Sequence, residues 1–337
     1  MITVTIYTRK NDPNCENAER ILDEVKVQIP FQLVKVDIDS DSTLKSVFGK
    51  MVPMIKAGPY SIQGEITRER LLMTLGAARD RQDHIERIGD KQYDERYKRA
   101  RNFSFMDSVT EWLSSHYLFL FNTLLIFYTG LPFVAPVLMK TGLTTPARVI
   151  YTLYSPFCHQ LAFRSFFLFG EQPYYPRQLA GVANVASYET AILQNQNAVE
   201  TSLDFISNAR AFLGNDQVGY KIALCERDVA LYGGLLIFGI IFAITGRKIK
   251  QIPWYVWLLF GLIPIGIDGG SQLPGLIAGL PAWLPVREST PFMRVLTGGL
   301  FGSLSAWYLY PLIEETMKDT RALIISKKEV ISQTRTD

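Results

Sequence analysis

Two stretches, YLFLFNTLLIFYTGLPFVAPVLM at residues 117–139 and LYGGLLIFGIIFAITG at 231–246, are longer and more apolar than a helix in a water-soluble core requires. A helix needs about 20 such residues to cross a bilayer, so these stretches fix the class as an integral membrane protein. The overall hydrophobic content of 48% hides this, because the first hundred or so residues are charged and mixed. The start, MITVTIYTRKND, has no basic n-region followed by an apolar core, so the leading domain is expected to stay in the cytoplasm. A formal charge of +3, with no basic cluster interleaved with aromatics, gives no case for nucleic acid.

Candidate spans fall at 117–139, 223–246, 254–273 and 292–313. A fifth apolar stretch, 147–170, is interrupted by Arg148, Pro156, His159 and Arg164. Uncompensated arginines facing lipid cost several kcal/mol, so this stretch reads as an interfacial or re-entrant segment buried against other helices. Four crossings with the N-terminus inside put GRKIKQ (246–251) and the basic C-terminal tail in the cytoplasm, as the positive-inside rule asks. Five crossings would put one of them on the wrong side. The segment 147–170 and the polar stretch 171–220 then lie outside. Within the latter, apolar spacing at Ile192, Val199, Leu203, Ile206 and Phe212 predicts an extracytoplasmic helix. Gly298 and Gly302 on the last span are spaced for close helix packing.

Residues 1–80 alternate short strands with amphipathic helices, the pattern of a small α/β layered domain. KNDPNCE (10–16) stands at the first strand-to-helix junction and MVPM (51–54) comes later. This head resembles the thioredoxin and glutaredoxin family, in which Cys-Pro-x-Cys opens the first helix and a cis-proline faces it. Asp12 takes the place of the nucleophilic cysteine, Pro13 is kept, and Cys15 is the one thiol left; Pro53 corresponds to the cis-proline. A lone thiol one turn into the helix cannot complete dithiol exchange, so the head is expected to be redox-inactive, a docking or structural module. Residues 81–115, dense in both charge signs, read as a charged helical linker with a basic collar, KRARNF, before the first span. The expected plan is a thioredoxin-like domain at 1–80, the linker at 81–115, a membrane domain at 116–315 with an insertion at about 171–220, and a cytoplasmic tail at 316–337. The fold class is α/β for the head and all-α polytopic for the membrane domain, with about four transmembrane helices and one interfacial or re-entrant segment.

Three polar clusters converge on the outer face in this topology. They are Cys158, His159 and Gln160; Cys225, Glu226, Arg227 and Asp228; and Asp268 with Gln272. Cys, His and Asp are the donor types of a metal site, which would take zinc or another transition metal through Cys158, His159, Cys225 and Asp228 or Asp268. Also open are a Cys158–Cys225 disulfide on the oxidising side, and ion pairs among Arg164, Glu226, Arg227, Asp228 and Asp268 that clamp the broken segment. Gln160 and Gln272 belong to the same polar cluster. CHQLAFRSFFLFG, CERDVALYGG, IDGGSQLPG and RESTPFMRVLTGGLFG together resemble a family of small polytopic prokaryotic membrane proteins of unknown function. That family carries Cys-x-Arg-Cys where this chain has Asp228 in the second cysteine's place. The resemblance implies residence in a prokaryotic inner membrane and supplies no reaction.

No phosphate loop, zinc-protease motif or haem-attachment CxxCH occurs in the chain. Adjacent Cys and His side chains diverge and do not make a nucleophile–base pair, so catalysis is not expected. The leading expectation is a non-catalytic membrane scaffold or accessory subunit of a larger, electron-transfer type of assembly, with the lipid bilayer and other membrane subunits as partners. The alternative is a metal-binding or thiol-redox membrane protein with its site at the extracytoplasmic face.

Overall fold

The computed structural model describes residues 2–88, 102–193, 203–273 and 287–336. The chain forms two compact units, one of residues 1–117 with 314–337 and one of residues 118–313.

In the first unit, strand β1 (Ile2–Thr8) pairs in parallel with β2 (Phe31–Asp37) and antiparallel with β3 (Met54–Ala57), which pairs with β4 (Tyr60–Gln63). The sheet order is β2-β1-β3-β4. Helices α1 (Pro13–Lys26) and α3 (Arg68–Ile88) pack on one face, where Val4 and Ile6 meet Leu22, Val25, Leu71 and Leu75. Alternation along β1 sends Tyr7 to the other face, against Phe48 of α2 (Ser42–Phe48). The peptide before Pro53 is cis, as the resemblance implies.

Helix α3 runs to Ile88, past the boundary expected at residue 80, because heptad-spaced Leu71, Leu75 and Ala78 lead into a charged turn with no helix breaker. Of the linker expected at 81–115, residues 89–101 lie outside the described residues. The tail is helical up to Thr336 and packs into this unit. Ala322 is fully buried among Tyr7, Val34, Val36 and Leu44, and Ser326 Oγ is 2.6 Å from Tyr7 Oη. Gln333 donates to Lys35 O at 2.7 Å and accepts from Lys35 N at 3.0 Å, covering the open edge of β2.

The second unit is mostly helical. Helix α4 (Phe105–Lys140) enters it from Leu118 and is followed by α5 (Thr144–Tyr154). The helix ends at Tyr154: Ser155 keeps helical dihedrals, but Pro156 has no N–H with which to continue the ladder. A short 3₁₀ turn, Ala162–Arg164, leads into β5 (Ser165–Leu168). Strand β7 (Gly219–Cys225) pairs antiparallel with β5 and with β6 (Gly214–Asn215). Helices α6 (Tyr188–Ala191) and α7 (Leu203–Ala211) carry Tyr188 and Phe205 into a core with Phe163 and Phe167. The all-α expectation for this part is therefore corrected by a three-stranded sheet. YKIALC is buried on both faces, shows no alternation, and is indistinguishable by pattern from the start of an apolar helix. Of the single outer helix expected near 192–212, α7 is the described part, and Val199 lies outside the described residues.

Helix α8 (Glu226–Ile244) begins where β7 ends. A broken apolar helix follows, α9 (Trp254–Trp257), one π turn (Leu258–Leu262) and α10 (Ile263–Gly270), and the last helix, α11, runs Pro291–Thr336. Among the described residues, α4 and α8 are long and apolar enough to cross a membrane, and Trp254–Gly270 is shorter. Only 17% of the apolar window of α4 and 22% of that of α8 is buried within the protein. Helices so apolar and so little covered are unlike a soluble core and suit lipid contact. Where α8 meets α11, a Cβ on Gly298 would lie 2.4 Å from Arg227 O and one on Gly302 2.0 Å from Leu231 O, so both positions require glycine for this approach.

Candidate metal centre

Cys158 lies in the non-helical stretch after α5, its N–H donating to Tyr154 O at 3.1 Å. Its sulfur accepts from Gln160 N at 3.4 Å and Cys225 N at 3.2 Å. Two backbone N–H groups therefore hold this sulfur in place beside Cys225. Gln160 adopts a positive φ of 53° and donates from Nε2 to Tyr151 O at 2.8 Å, which folds the CHQ turn back onto α5. Cys225 is the last residue of β7 and the N-cap of α8, and Asp228 stands in the first turn of that helix. A residue three positions beyond an N-cap reaches back toward it. The two sulfurs and a carboxylate oxygen of Asp228 lie within 4.8 Å of one another. Tetrahedral thiolates at zinc–sulfur distances of about 2.3 Å stand roughly 3.8 Å apart, so closing this set on an ion needs side-chain shifts of about an ångström. All three cysteines of the chain carry free thiols in this structure.

Of the five ligands expected from sequence, the structure therefore brings together Cys158, Cys225 and Asp228. His159 is exposed and stands outside the cluster. Asp268 is buried and engaged elsewhere, accepting from Arg227 Nη2 at 2.5 Å, Ser289 Oγ at 2.7 Å and Arg287 Nη1 at 3.3 Å. Gln272 donates to Asp268 O at 2.6 Å. Arg164 makes a two-pronged pair with Glu288 at 2.7 and 2.9 Å, and Arg294 bridges Glu288 and Glu226, the latter at 3.0 Å. Metal-ligand and ion-pair residues thus form two adjoining groups rather than one.

Lys221, Arg287, Glu288, Ser289 and Arg294 complete this polar region and were not singled out from the sequence. Four of them sit in or beside RESTPFMR, where an arginine and a glutamate before a small-residue helix were the available signal. Lys221 gave less, since one lysine inside an apolar strand has no period to betray its burial. It is fully buried on β7 and donates to Gln160 O at 2.7 Å and Arg210 O at 2.6 Å; burial pushes its pKa down to about 7.

In the head, Asp12 is the N-cap of α1 and accepts from Asn14 N at 2.9 Å and Cys15 N at 3.2 Å. Cys15 is 1% exposed, and burial pushes its thiol pKa up. A carboxylate occupies the place at which a helix N-terminus would activate a thiol, and the remaining thiol is covered.

These observations define a glutaredoxin-like α/β domain joined to a mostly helical domain with two candidate membrane spans. Comparison with known proteins agrees: residues 3–76 match the glutaredoxin-like domain family (DUF836) and residues 210–308 match a family described as predicted membrane protein (DUF2085). The chain is also similar to the uncharacterized protein MJ1492 of Methanocaldococcus jannaschii. The two are 26% identical over 210 residues, which make up 60% of this chain and 96% of that protein. Cys225 and Asp228 fall inside the matched membrane segment and Cys158 precedes it.

Proposed function

We propose that this chain is a metal-binding membrane protein that holds a divalent ion of the zinc type through Cys158, Cys225 and Asp228. The observation that carries the reading is the convergence of these three donors, from two distant parts of the chain, within 4.8 Å of one another. Two thiolates and a carboxylate suit zinc, and three protein ligands leave a fourth position open. The ion would lock the turn after α5 to the start of α8, and its affinity would fall with pH as the thiolates protonate. Four crossings, at α4, α8, the broken helix and the first part of α11, place GRKIKQ and both termini in the cytoplasm and the metal site on the extracytoplasmic face of a prokaryotic inner membrane. The test is metal analysis of the full chain purified in detergent. Wild type is expected to carry about one zinc equivalent and Cys225→Ser almost none, since a lost thiolate removes a principal bond. A wild-type protein that takes up no zinc after reduction and reconstitution refutes the reading.

The glutaredoxin-like head is read as a non-catalytic module of an accessory subunit, favoured by one specific observation. The carboxylate of Asp12 is spent on capping α1 where a nucleophilic thiol would stand. Its partners would be other subunits of a membrane complex, plausible ones being those of an electron-transfer assembly. Gentle solubilisation from native membranes should then bring down stoichiometric companions, and elution as a lone monomer counts against this part.

A further inference from the structure

We propose that the cavity beside the two thiols is a binding site for a tetrahedral oxyanion of the phosphate class, held by Arg227 and Arg294, with Arg164 completing a basic wall. The cavity measures about 230 Å³, room for a phosphate group and a short substituent. Three guanidiniums line it, whereas the carboxylates that pair with them, Glu226, Glu288 and Asp268, do not. Among the described residues Asp228 is the one carboxylate in the lining against three guanidiniums, so cationic side chains predominate on the wall.

The arginines also have capacity to spare. Asp268 is shared between Arg227 and Arg287, and among the described residues the Nε of Arg227 has no hydrogen-bond partner. Arg294 is 1% exposed, and its Nε is likewise without a partner among the described residues. Buried donors of this kind are normally satisfied, and a ligand oxygen would satisfy them. Gly269 keeps the approach clear: a Cβ there would lie 3.3 Å from Arg227 Nη1 and near no other residue's side chain. Donors converging from separate guanidiniums suit an anion whose oxygens point in several directions, as phosphate's do. Phe157 and Leu273, exposed by 69% and 53%, also line the cavity, so the phosphate could be free or could belong to a phospholipid headgroup. Cys158, Cys225 and Asp228 share the lining, but the donors assigned to the oxyanion are the arginines and not the sulfurs.

The experiment is calorimetric titration of inorganic phosphate into the full chain in a neutral, phosphate-free detergent, with chloride held constant. Wild type should bind saturably, and Arg227→Gln should weaken binding about tenfold or more, the loss of a charge-assisted hydrogen bond. Gly269→Val, which covers the Arg227 guanidinium without removing a charge, should weaken binding similarly while keeping the elution profile and thiol count of wild type. Cys225→Ser should keep phosphate binding while losing metal, so the two readings fail separately. Micelles doped with phosphatidylglycerol separate the sources: suppressed phosphate binding identifies the headgroup, and unaltered binding identifies a free oxyanion. No phosphate binding by wild type, or undiminished binding by a folded Gly269→Val protein, overturns the proposal.

Discussion

Arg294→Met should destabilise the membrane domain strongly at neutral pH and only mildly in weak acid. Arg294 pairs with Glu226 and Glu288, and all three side chains are buried. Glu288 would keep its two-pronged contact with Arg164, whereas fully buried Glu226 would lose the one cation that contacts it among the described residues. Breaking a buried pair by removing one partner costs about 3–5 kcal/mol. The carboxyl has an escape, which is to take up a proton. From an ordinary glutamate pKa of about 4.3, at 1.36 kcal/mol per unit, neutralisation at pH 7 costs about 3.7 kcal/mol, which caps the loss. At pH 5.5 the same cost is about 1.6 kcal/mol. The sign follows from linkage: the folded variant holds a proton that the unfolded chain has released, so its stability falls as pH rises through this window. Equilibrium unfolding in mixed detergent, followed by tryptophan fluorescence, should show Arg294→Met less stable than wild type by about 3–4 kcal/mol at pH 7 and by less than half of that at pH 5.5. Adding Glu226→Gln should return most of the loss at pH 7, because a neutral amide needs no counter-ion. A loss below about 1 kcal/mol at pH 7, or one unchanged at pH 5.5, would refute the view that these groups form a buried, mutually dependent charge network.

Three other perturbations probe separate parts of the molecule. Gly302→Ala should push α8 and α11 apart, since its Cβ would stand 2.0 Å from Leu231 O, at a cost of about 1–3 kcal/mol in the same unfolding assay. Asp12→Cys should restore a reactive thiol at the N-terminus of α1. Its alkylation rate at pH 7 should far exceed that of wild-type Cys15, while the lost cap costs about 1 kcal/mol in stability. Lys221 has its pKa pushed down to about 7 in the folded protein, so the unfolded state binds the extra proton between that value and the ordinary lysine value. Stability should therefore rise from pH 7 toward pH 10 in wild type, and melting curves of Lys221→Met should lack that component of the rise.

The head was readable because its signals are local. Strand alternation at ITVTIYT, the Asp-Pro start of α1 and the proline at 53 each announce their element within a few residues. The membrane domain was readable only where length and apolarity suffice, as in α4 and α8. The sheet of β5, β6 and β7 was not, because its central strand is buried on both faces and runs directly into α8. Tertiary pairing also chose among the polar residues. The sequence put Asp268 and Cys158 in one cluster, yet the choice of partner for Asp268 fell to Arg227, Arg287 and Ser289, two of them nearly twenty residues or more further along. Donor types could be listed from the sequence, but which of them share an ion depends on side-chain separations that no spacing rule carries.

Two aspartates stand where the sequence resemblances imply a cysteine, and their surroundings give them different roles. At position 12 the carboxylate meets free N–H groups at the start of α1 and is consumed as a cap. The position offers a cap and no thiol nucleophile. At position 228 the carboxylate stands one helical turn from Cys225, and an oxygen of it lies within 4.8 Å of two sulfurs. An aspartate there keeps a negative donor of similar reach, which a metal can use, and gives up the ability to close a disulfide with Cys225. A change that preserves charge and donor while abolishing cross-linking is compatible with a ligand role and incompatible with a redox pair at 225 and 228. Zinc binding should accordingly survive Asp228→Cys, which supplies a thiolate donor, and should fall sharply in Asp228→Ala, which removes the donor. Equal loss in both variants would mean that Asp228 serves α8 as a cap, as Asp12 serves α1.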